Sequence, residues 1–278
     1  MRIGCGLTTD QWKQFQLFGF VVLRGWLTEL ETAALRDESL QRLRDGHGSS
    51  FDERPWQSGM AGHYVPMLDP AAPVSCAIVE DDRFHAAARE LLDGECLISP
   101  ADTHAVLYFA EAGWHTDVGF DLRTVKFAAY LDAVTGPTGA LRVLPLSHSV
   151  QYNSLASYTH HPRVETEDLP GYVCETEPGD VIVFDGKIFH ASAGGRDRLQ
   201  WSVVYVRDVT EHGTTDANRA GLAGWFEEGP TWDGSPYPPG TTWLSPSWYH
   251  DPSPSPVKRR WLQRFDDLGV KPTASDPI

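Results

Sequence analysis

Apolar positions recur in two rhythms along the chain, helical at first and strand-like from about residue 100. Leu7-Thr8-Thr9-Asp10-Gln11 opens a short helix, with Thr8 or Thr9 as N-cap ahead of Trp12, Phe15 and Leu17. Gly19-Phe20-Val21-Val22-Leu23 reads as a strand from its β-branched and aromatic content. Thr28 then caps a long amphipathic helix whose apolar positions Leu30, Ala33, Leu35, Leu40 and Leu43 recur at roughly helical spacing, ending near Gly46-His47-Gly48. Residues 48–70 form a polar loop with Gly and Pro that contains Trp56, His63 and Tyr64. A loop of that length in a compact domain is usually functional or mobile. Asp82 to Leu92 reads as a helix that closes at Gly94.

The second rhythm predicts a run of short strands: Thr103–Phe109, Thr124–Asp132, Ala140–Pro145 after a Gly136-Pro137-Thr138-Gly139 turn, Tyr172–Thr176, Val181–Phe184, Ile188–Ala191 and Leu199–Arg207. The last is apolar on both faces, the pattern of a buried strand. Residues 150–170 are polar and irregular. Residues 211–256 are rich in Gly, Pro, Trp and Tyr without a clear period, and Pro256–Leu268 is a terminal helix whose Lys258, Arg259, Arg260 and Arg264 read as a solvated basic face. No internal repeat or domain boundary interrupts this order. Helices ahead of short strands predict an α+β chain with a mainly β core: a double-stranded β-helix, the cupin-like jelly roll, with flanking N-terminal helices. Residues 1–278 form one domain in this reading, with 211–278 as an extension packed on the core.

Composition narrows the partners. A hydrophobic share of 41% and a charged share of 22% in 278 residues are those of a globular protein able to bury a sizeable core. With 23 basic against 38 acidic residues, the net charge is −15. Phosphate backbones need a basic footprint, so nucleic acid is excluded as the main partner. Neutral or cationic small substrates remain compatible, although an acidic surface is first of all a solubility device. Cys5, Cys76, Cys96 and Cys174 form no CxxC pair and read as free thiols of a reducing compartment. The first residues lack a secretory apolar core, and no segment approaches the apolar length of a membrane span. The expectation is a cytoplasmic protein without a membrane partner.

Candidate chemistry begins at Trp114-His115-Thr116-Asp117. Side chains at i and i+2 of an extended segment share a face, so His115 and Asp117 present two metal-binding heads together. Alone, such a pair is a weak signal, since polar residues are common at strand ends. Phe189-His190-Ala191-Ser192 supplies a second His downstream. Two His and one carboxylate make the facial triad that holds non-haem Fe(II) with open positions for other ligands.

Four stretches, in order, resemble the phytanoyl-CoA dioxygenase family of Fe(II)- and 2-oxoglutarate-dependent oxygenases. Gly19-Phe20-Val21-Val22-Leu23-Arg24-Gly25-Trp26-Leu27 looks like the family's N-terminal strand and turn, and His115-Thr116-Asp117 like its His-x-Asp. Gly139-Ala140-Leu141-Arg142-Val143-Leu144-Pro145-Leu146-Ser147-His148 resembles a family segment in which Gly is usual where Leu146 stands. Gly179-Asp180, His190-Ala191-Ser192 and Arg198-Leu199-Gln200-Trp201-Ser202 match the distal half. The resemblance spans about residues 7–210.

The resemblance implies that His115, Asp117 and His190 hold Fe(II), that 2-oxoglutarate and O2 are co-substrates, and that succinate and CO2 leave as a substrate C–H bond is oxidised. A guanidinium forks onto a carboxylate, so an Arg shortly after the distal His is expected to anchor the co-substrate. Arg198, at the start of a strand, fits that frame better than Arg196, which falls in the turn. Ser192, facing the same way as His190, and Tyr108 are further co-substrate candidates, a core role for Tyr108 being equally open. His104 reads as structural. Some relatives place a Trp against the co-substrate at Ala128, so Lys126 or Phe127 is left to close that side. Halogenating relatives replace the carboxylate by a small residue; Asp117 therefore favours hydroxylation.

The substrate is hardly specified. Loops 48–70, 150–170 and 211–250 would surround the barrel mouth, and Trp56, His63, Tyr64 and Trp225 are the substrate-binding candidates. A basic-poor surface argues against an acyl-CoA. The expectation is a small molecule, polar or cationic, of natural-product or amino-acid-like metabolism. Two alternatives stay open at this point: a non-catalytic jelly-roll binding protein, and a cupin-type oxygenase independent of 2-oxoglutarate.

Overall fold

Thr8 starts the first helix, α1 (Thr9–Phe18), through a capping box: its side chain accepts from Gln11 N while the Gln11 side chain accepts from Thr8 N. Gly19 ends it at φ 82°, a conformation that suits Gly, and turns the chain directly into β1 (Phe20–Leu23). Thr28 and Glu31 repeat the capping box at the head of α2 (Glu29–His47). The structure is a computed structural model, and it describes residues 6–53, 62–118, 122–152, 166–208, 229–230 and 235–272.

After α2 come β2 (Gly62–Pro66), α3 (Pro73–Val79), α4 (Asp82–Leu92), β3 (Cys96–Ile98), β4 (His104–Tyr108), β5 (Ala112–His115), β6 (Thr124–Tyr130), β7 (Thr138–Val143), β8 (Tyr172–Cys174), β9 (Val181–Asp185), β10 (His190–Gly194), β11 (Arg198–Arg207), α5 (Pro246–Tyr249) and α6 (Pro256–Leu268). A larger sheet runs β1-β9-β6-β11-β4-β2, with β3 also paired to β11. A smaller one runs β5-β10-β7-β8. All the pairings are antiparallel, and the two sheets form the jelly roll that the strand pattern predicted.

Strand alternation sorts the large sheet into two faces. Val125, Phe127 and Ala129 of β6 join one core cluster with Leu35 and Leu43 of α2, Phe84 of α4, and Trp248, Trp261 and Phe265 of α5 and α6. Ala128 and Tyr130 turn the other way, against Leu141 and Val143 of the small sheet. Function must be sought on that inner face, between the sheets.

Several elements depart from the sequence pattern. The stretch read as one loop over 48–70 contains β2; α3, β3 and α5 are further additions. Leu30, counted in the apolar stripe of α2, is 84% exposed, and the buried stripe is Thr32, Leu35, Ser39 and Leu43. Thr32 is tolerated there because its hydroxyl donates to the Thr28 carbonyl at 2.9 Å. The Gly179-Asp180 pair proves to be a brace: Asp180 accepts from Arg24 Nη1, Gly25 N and Glu177 N, and Gly179 O accepts from Leu27 N. Among the described residues, no helix is long and apolar enough to cross a membrane.

Candidate metal centre

His115 is the last residue of β5 and His190 the first of β10, and the antiparallel ladder sets them directly opposite. Their rings lie 4.2 Å apart between centroids. Each Nδ1 donates to a backbone carbonyl two residues back, His115 to Gly113 O at 2.7 Å and His190 to Ile188 O at 3.0 Å. Those bonds fix the tautomer and leave both Nε2 lone pairs free for a metal. The start of β10 is itself tied down: Ser147 Oγ accepts from Phe189 N and donates to Leu144 O.

Asp117 does not lie on a strand, as its spacing from His115 suggested. It sits in a bend past the end of β5, where its own N–H and that of Val118 both donate to Gly186 O. Gly186 leaves room for this bend; a Cβ there would come 2.2 Å from Thr124 Oγ1 and 3.1 Å from Val118. The carboxylate reaches the histidines all the same. Oδ1 is 3.4 Å from His190 Nε2 and 3.8 Å from His115 Nε2, and the three ligand atoms lie within 4.8 Å of one another. Oδ2 turns to Lys126 Nζ on β6, 3.2 Å away.

The electrostatics suit a cation. Burial, then the neighbouring His190, push His115 down to about 4, so its imidazole is neutral at pH 7. Burial would raise Asp117, but Lys126 and then His190 outweigh it and hold the carboxyl well below the ordinary range. Two imidazoles, that of His115 neutral, and a carboxylate that stays ionised suit a non-haem Fe(II) site. His190 is buried while the His115 side chain is 43% exposed, so the site opens on the His115 side.

Arg198, the first residue of β11, is 4% exposed. Its Nη1 donates to Gly139 O at 2.7 Å and its Nη2 to Ala110 O at 2.5 Å, while Nε has no partner. Among the described residues no carboxylate lies within ion-pair distance of it. A guanidinium buried among two carbonyls and the Tyr130 side chain, with no carboxylate beside it among the described residues, is suited to an anionic ligand. The guanidinium stands 5.1 Å from the centroid of the Tyr108 ring, and Arg196, the alternative, is exposed in the turn. Ser192, two positions beyond His190 and therefore on the same face, accepts from Ala112 N. A Cβ at Gly139 would come 2.7 Å from Arg198 Cδ and 2.5 Å from Gly194 O, and at φ 92° the position favours Gly on backbone grounds too.

Among the substrate candidates, Trp56 and Trp225 lie outside the described residues. His63 is on the outer face of β2, its ring tilted against that of His47 at 4.0 Å between centroids and edge-on to Phe109, with Nε2 turned to the carbonyls of Phe51 and Glu53. Alternation puts its neighbour Tyr64 on the inner face, in a cluster with Tyr108, Tyr237 and His104. His104 Nδ1 and Tyr237 Oη are 3.1 Å apart, and His104 Nε2 is buried without a partner. Burial, then Lys126, push His104 down to about 3; burial lifts Asp102 to about 6 against Lys126. The register sets His104 opposite Ser202 of β11, and Ser202 opposite Ala128, two residues along β6 from Lys126. Asp102 and Tyr237 carried no signal in the sequence, because nothing local distinguishes a pocket residue from a loop residue.

An antiparallel jelly roll with two His and one Asp converging between its sheets defines a class of non-haem metal oxygenases. The sequence profile of the phytanoyl-CoA dioxygenase (PhyH) family matches residues 15–197, and the chain belongs to that family. It is thereby an Fe(II)- and 2-oxoglutarate-dependent oxygenase. No curated protein sequence matches it. Among solved structures it is similar to EctD from S. alaskensis with 2-oxoglutarate and 5-hydroxyectoine, at 23% identity and a TM-score of 0.54, covering 72% of this chain and 76% of that one. It is also similar to HygX from Streptomyces hygroscopicus with nickel and 2-oxoglutarate, at 18% identity and a TM-score of 0.57, covering 72% and 87%. A third likeness is to the epimerase SnoN from nogalamycin biosynthesis, at 17% identity and a TM-score of 0.56, covering 71% and 82%.

Proposed function

We propose that the protein hydroxylates a C–H bond of a small polar molecule, with His115, Asp117 and His190 as the iron ligands and Arg198 as the anchor of 2-oxoglutarate. The observation that carries this is the meeting of a His-Asp-His cluster with a buried guanidinium that has no carboxylate partner among the described residues. Bound Fe(II), 2-oxoglutarate and O2 together supply an oxidant for an unactivated C–H bond, with succinate and CO2 as by-products. The chain's own residues do the rest. Gly113 O and Ile188 O orient the two imidazoles; Arg198 fixes the far carboxylate of the co-substrate, with Ser192 and Tyr108 beside it. Tyr64, Asp102, His104 and Tyr237 give the substrate side a polar wall with one free nitrogen, suited to a hydroxyl, amide or amine. That wall, and the 5-hydroxyectoine and nogalamycin chemistry of two similar structures, support a natural-product or amino-acid-like substrate. The retained Asp117 supports hydroxylation. We read the whole chain as one oxygenase domain, because α5 and α6 share a core cluster with the sheet.

Iron-dependent release of succinate from 2-oxoglutarate tests this reading. The wild type is expected to turn over slowly without substrate, and His115→Ala to lose the activity entirely. Absence of succinate from iron-loaded wild type refutes it in favour of a binding protein or an oxygenase independent of 2-oxoglutarate.

A further inference from the structure

The two oxygens of Asp117 have different surroundings. Oδ1 faces both free Nε2 atoms, whereas Oδ2 is held by Lys126 Nζ at 3.2 Å. Lys126 reaches across from the large sheet. Its strand, β6, lies between β9 and β11, in register with Phe184 on one side and Val204 on the other, so the backbone cannot shift independently. The Lys126 side chain is 11% exposed, its ammonium 6.0 Å from the centroid of the Phe184 ring. Among the described residues, Asp117 is its one carboxylate partner within ion-pair distance. The arrangement is fixed on both sides: the Asp117 backbone by Gly186 O and its outer oxygen by Lys126.

A carboxylate can bind a metal through one oxygen or through both. Through one, a two-histidine, one-carboxylate face leaves three positions of an octahedral ion for exchangeable ligands; through both, it leaves two. A keto acid that chelates takes two by itself. We propose that Lys126 is a positioning residue which, by occupying Oδ2, restricts Asp117 to single-oxygen ligation and so keeps the third exchangeable position open. The inference rests on the assignment of Asp117 as a metal ligand. It also gives a buried lysine a task. An isolated ammonium at this depth is costly, and the Asp117 pairing compensates it.

Solvent-proton relaxation of the Mn(II)-loaded protein counts the waters bound directly to the metal, and needs neither co-substrate nor turnover. Lys126→Met removes the hold on Oδ2, and relaxivity per bound Mn(II) is expected to fall by about a third, as three exchangeable positions become two. Lys126→Arg keeps a cation within reach and is expected to stay at the wild-type level. Lys126→Gln, whose arm is too short for Oδ2, is expected to fall as the Met variant does, and it decides the matter if the Met variant does not fold. Relaxivity unchanged in Met and Gln variants that bind Mn(II) overturns the proposal. An equal fall in all three variants, Arg included, overturns it in favour of general damage. Failure of the wild type to bind Mn(II) instead overturns the metal-ligand assignment beneath it.

Discussion

At the scale of the residue, the proposed anchor of 2-oxoglutarate, Arg198, is open to test by itself. Arg198 donates to Gly139 O and Ala110 O, and its Nε has no partner among the described residues. Arg198→Gln is therefore expected to raise the KM for 2-oxoglutarate by at least about tenfold, the loss of roughly 1.4 kcal/mol of charge-assisted bonding. Mn(II) affinity should stay within about twofold, because no metal ligand changes. An unaltered KM in succinate assays would remove Arg198 from the co-substrate site. Leu146 is a second case. It adopts φ 72°, where a side chain is strained, and its family counterpart is usually Gly. Leu146→Gly is expected to stabilise the fold by up to about 1 kcal/mol in urea titrations, the relief of strain exceeding the added freedom of the unfolded chain. A loss of stability would mean that the half-buried Leu146 side chain contributes more than its backbone costs.

At the scale of the element, the site depends on a bend that no strand pattern announces. Gly186→Ala would drive a Cβ into Thr124 Oγ1 and Val118, displacing the carbonyl that holds Asp117. The expected result is a folded protein whose Mn(II) affinity drops at least about tenfold, the order of loss seen when groups that orient a ligand are removed. Retention of affinity in a calorimetric titration would show that Lys126 alone suffices to place Asp117. The same bend explains what was legible in sequence. His115 and His190 announce themselves because a ligand's chemistry is in the residue type, and β11 because both of its faces are apolar. β2 was hidden because Gly62, His63 and Pro66 lack strand character, and its pairing with β4 is a tertiary fact. His63 and Tyr64, adjacent in sequence, could not be told apart until the strand was placed and alternation sent them to opposite faces. Lys126 was legible as a candidate for the co-substrate side, but its pairing with Asp117, nine positions earlier, is a tertiary fact.

At the scale of the whole molecule, protons should act against the fold. Burial lowers five histidines: His104 to about 3, His115 to about 4, and His47, His85 and His148 below their ordinary value. A group whose folded pKa is lowered binds its proton more readily in the unfolded chain. Its contribution is complete above the ordinary histidine value of about 6.5 and is lost as pH falls towards the folded value. Burial raises three carboxyls, Asp102 to about 6 and Glu38 and Asp185 above their ordinary values, and these act oppositely, losing stability as pH rises through about 4 to 6. Between pH 7 and 6 the histidines are nearly unopposed; below 6 the carboxyls offset part of their effect. His104, 5% exposed, would contribute up to about 1.4 kcal/mol per pH unit, and His115, with its half-exposed ring, less. The urea midpoint of chelator-treated protein is thus expected to be highest near pH 7.5, to fall between pH 7 and 6, and to flatten below 6. A midpoint constant or rising from pH 7.5 to 6 would show that these histidines are already protonated in the fold. His115 and His104 would then lack the neutral imidazoles on which the proposed ligand set and polar wall depend.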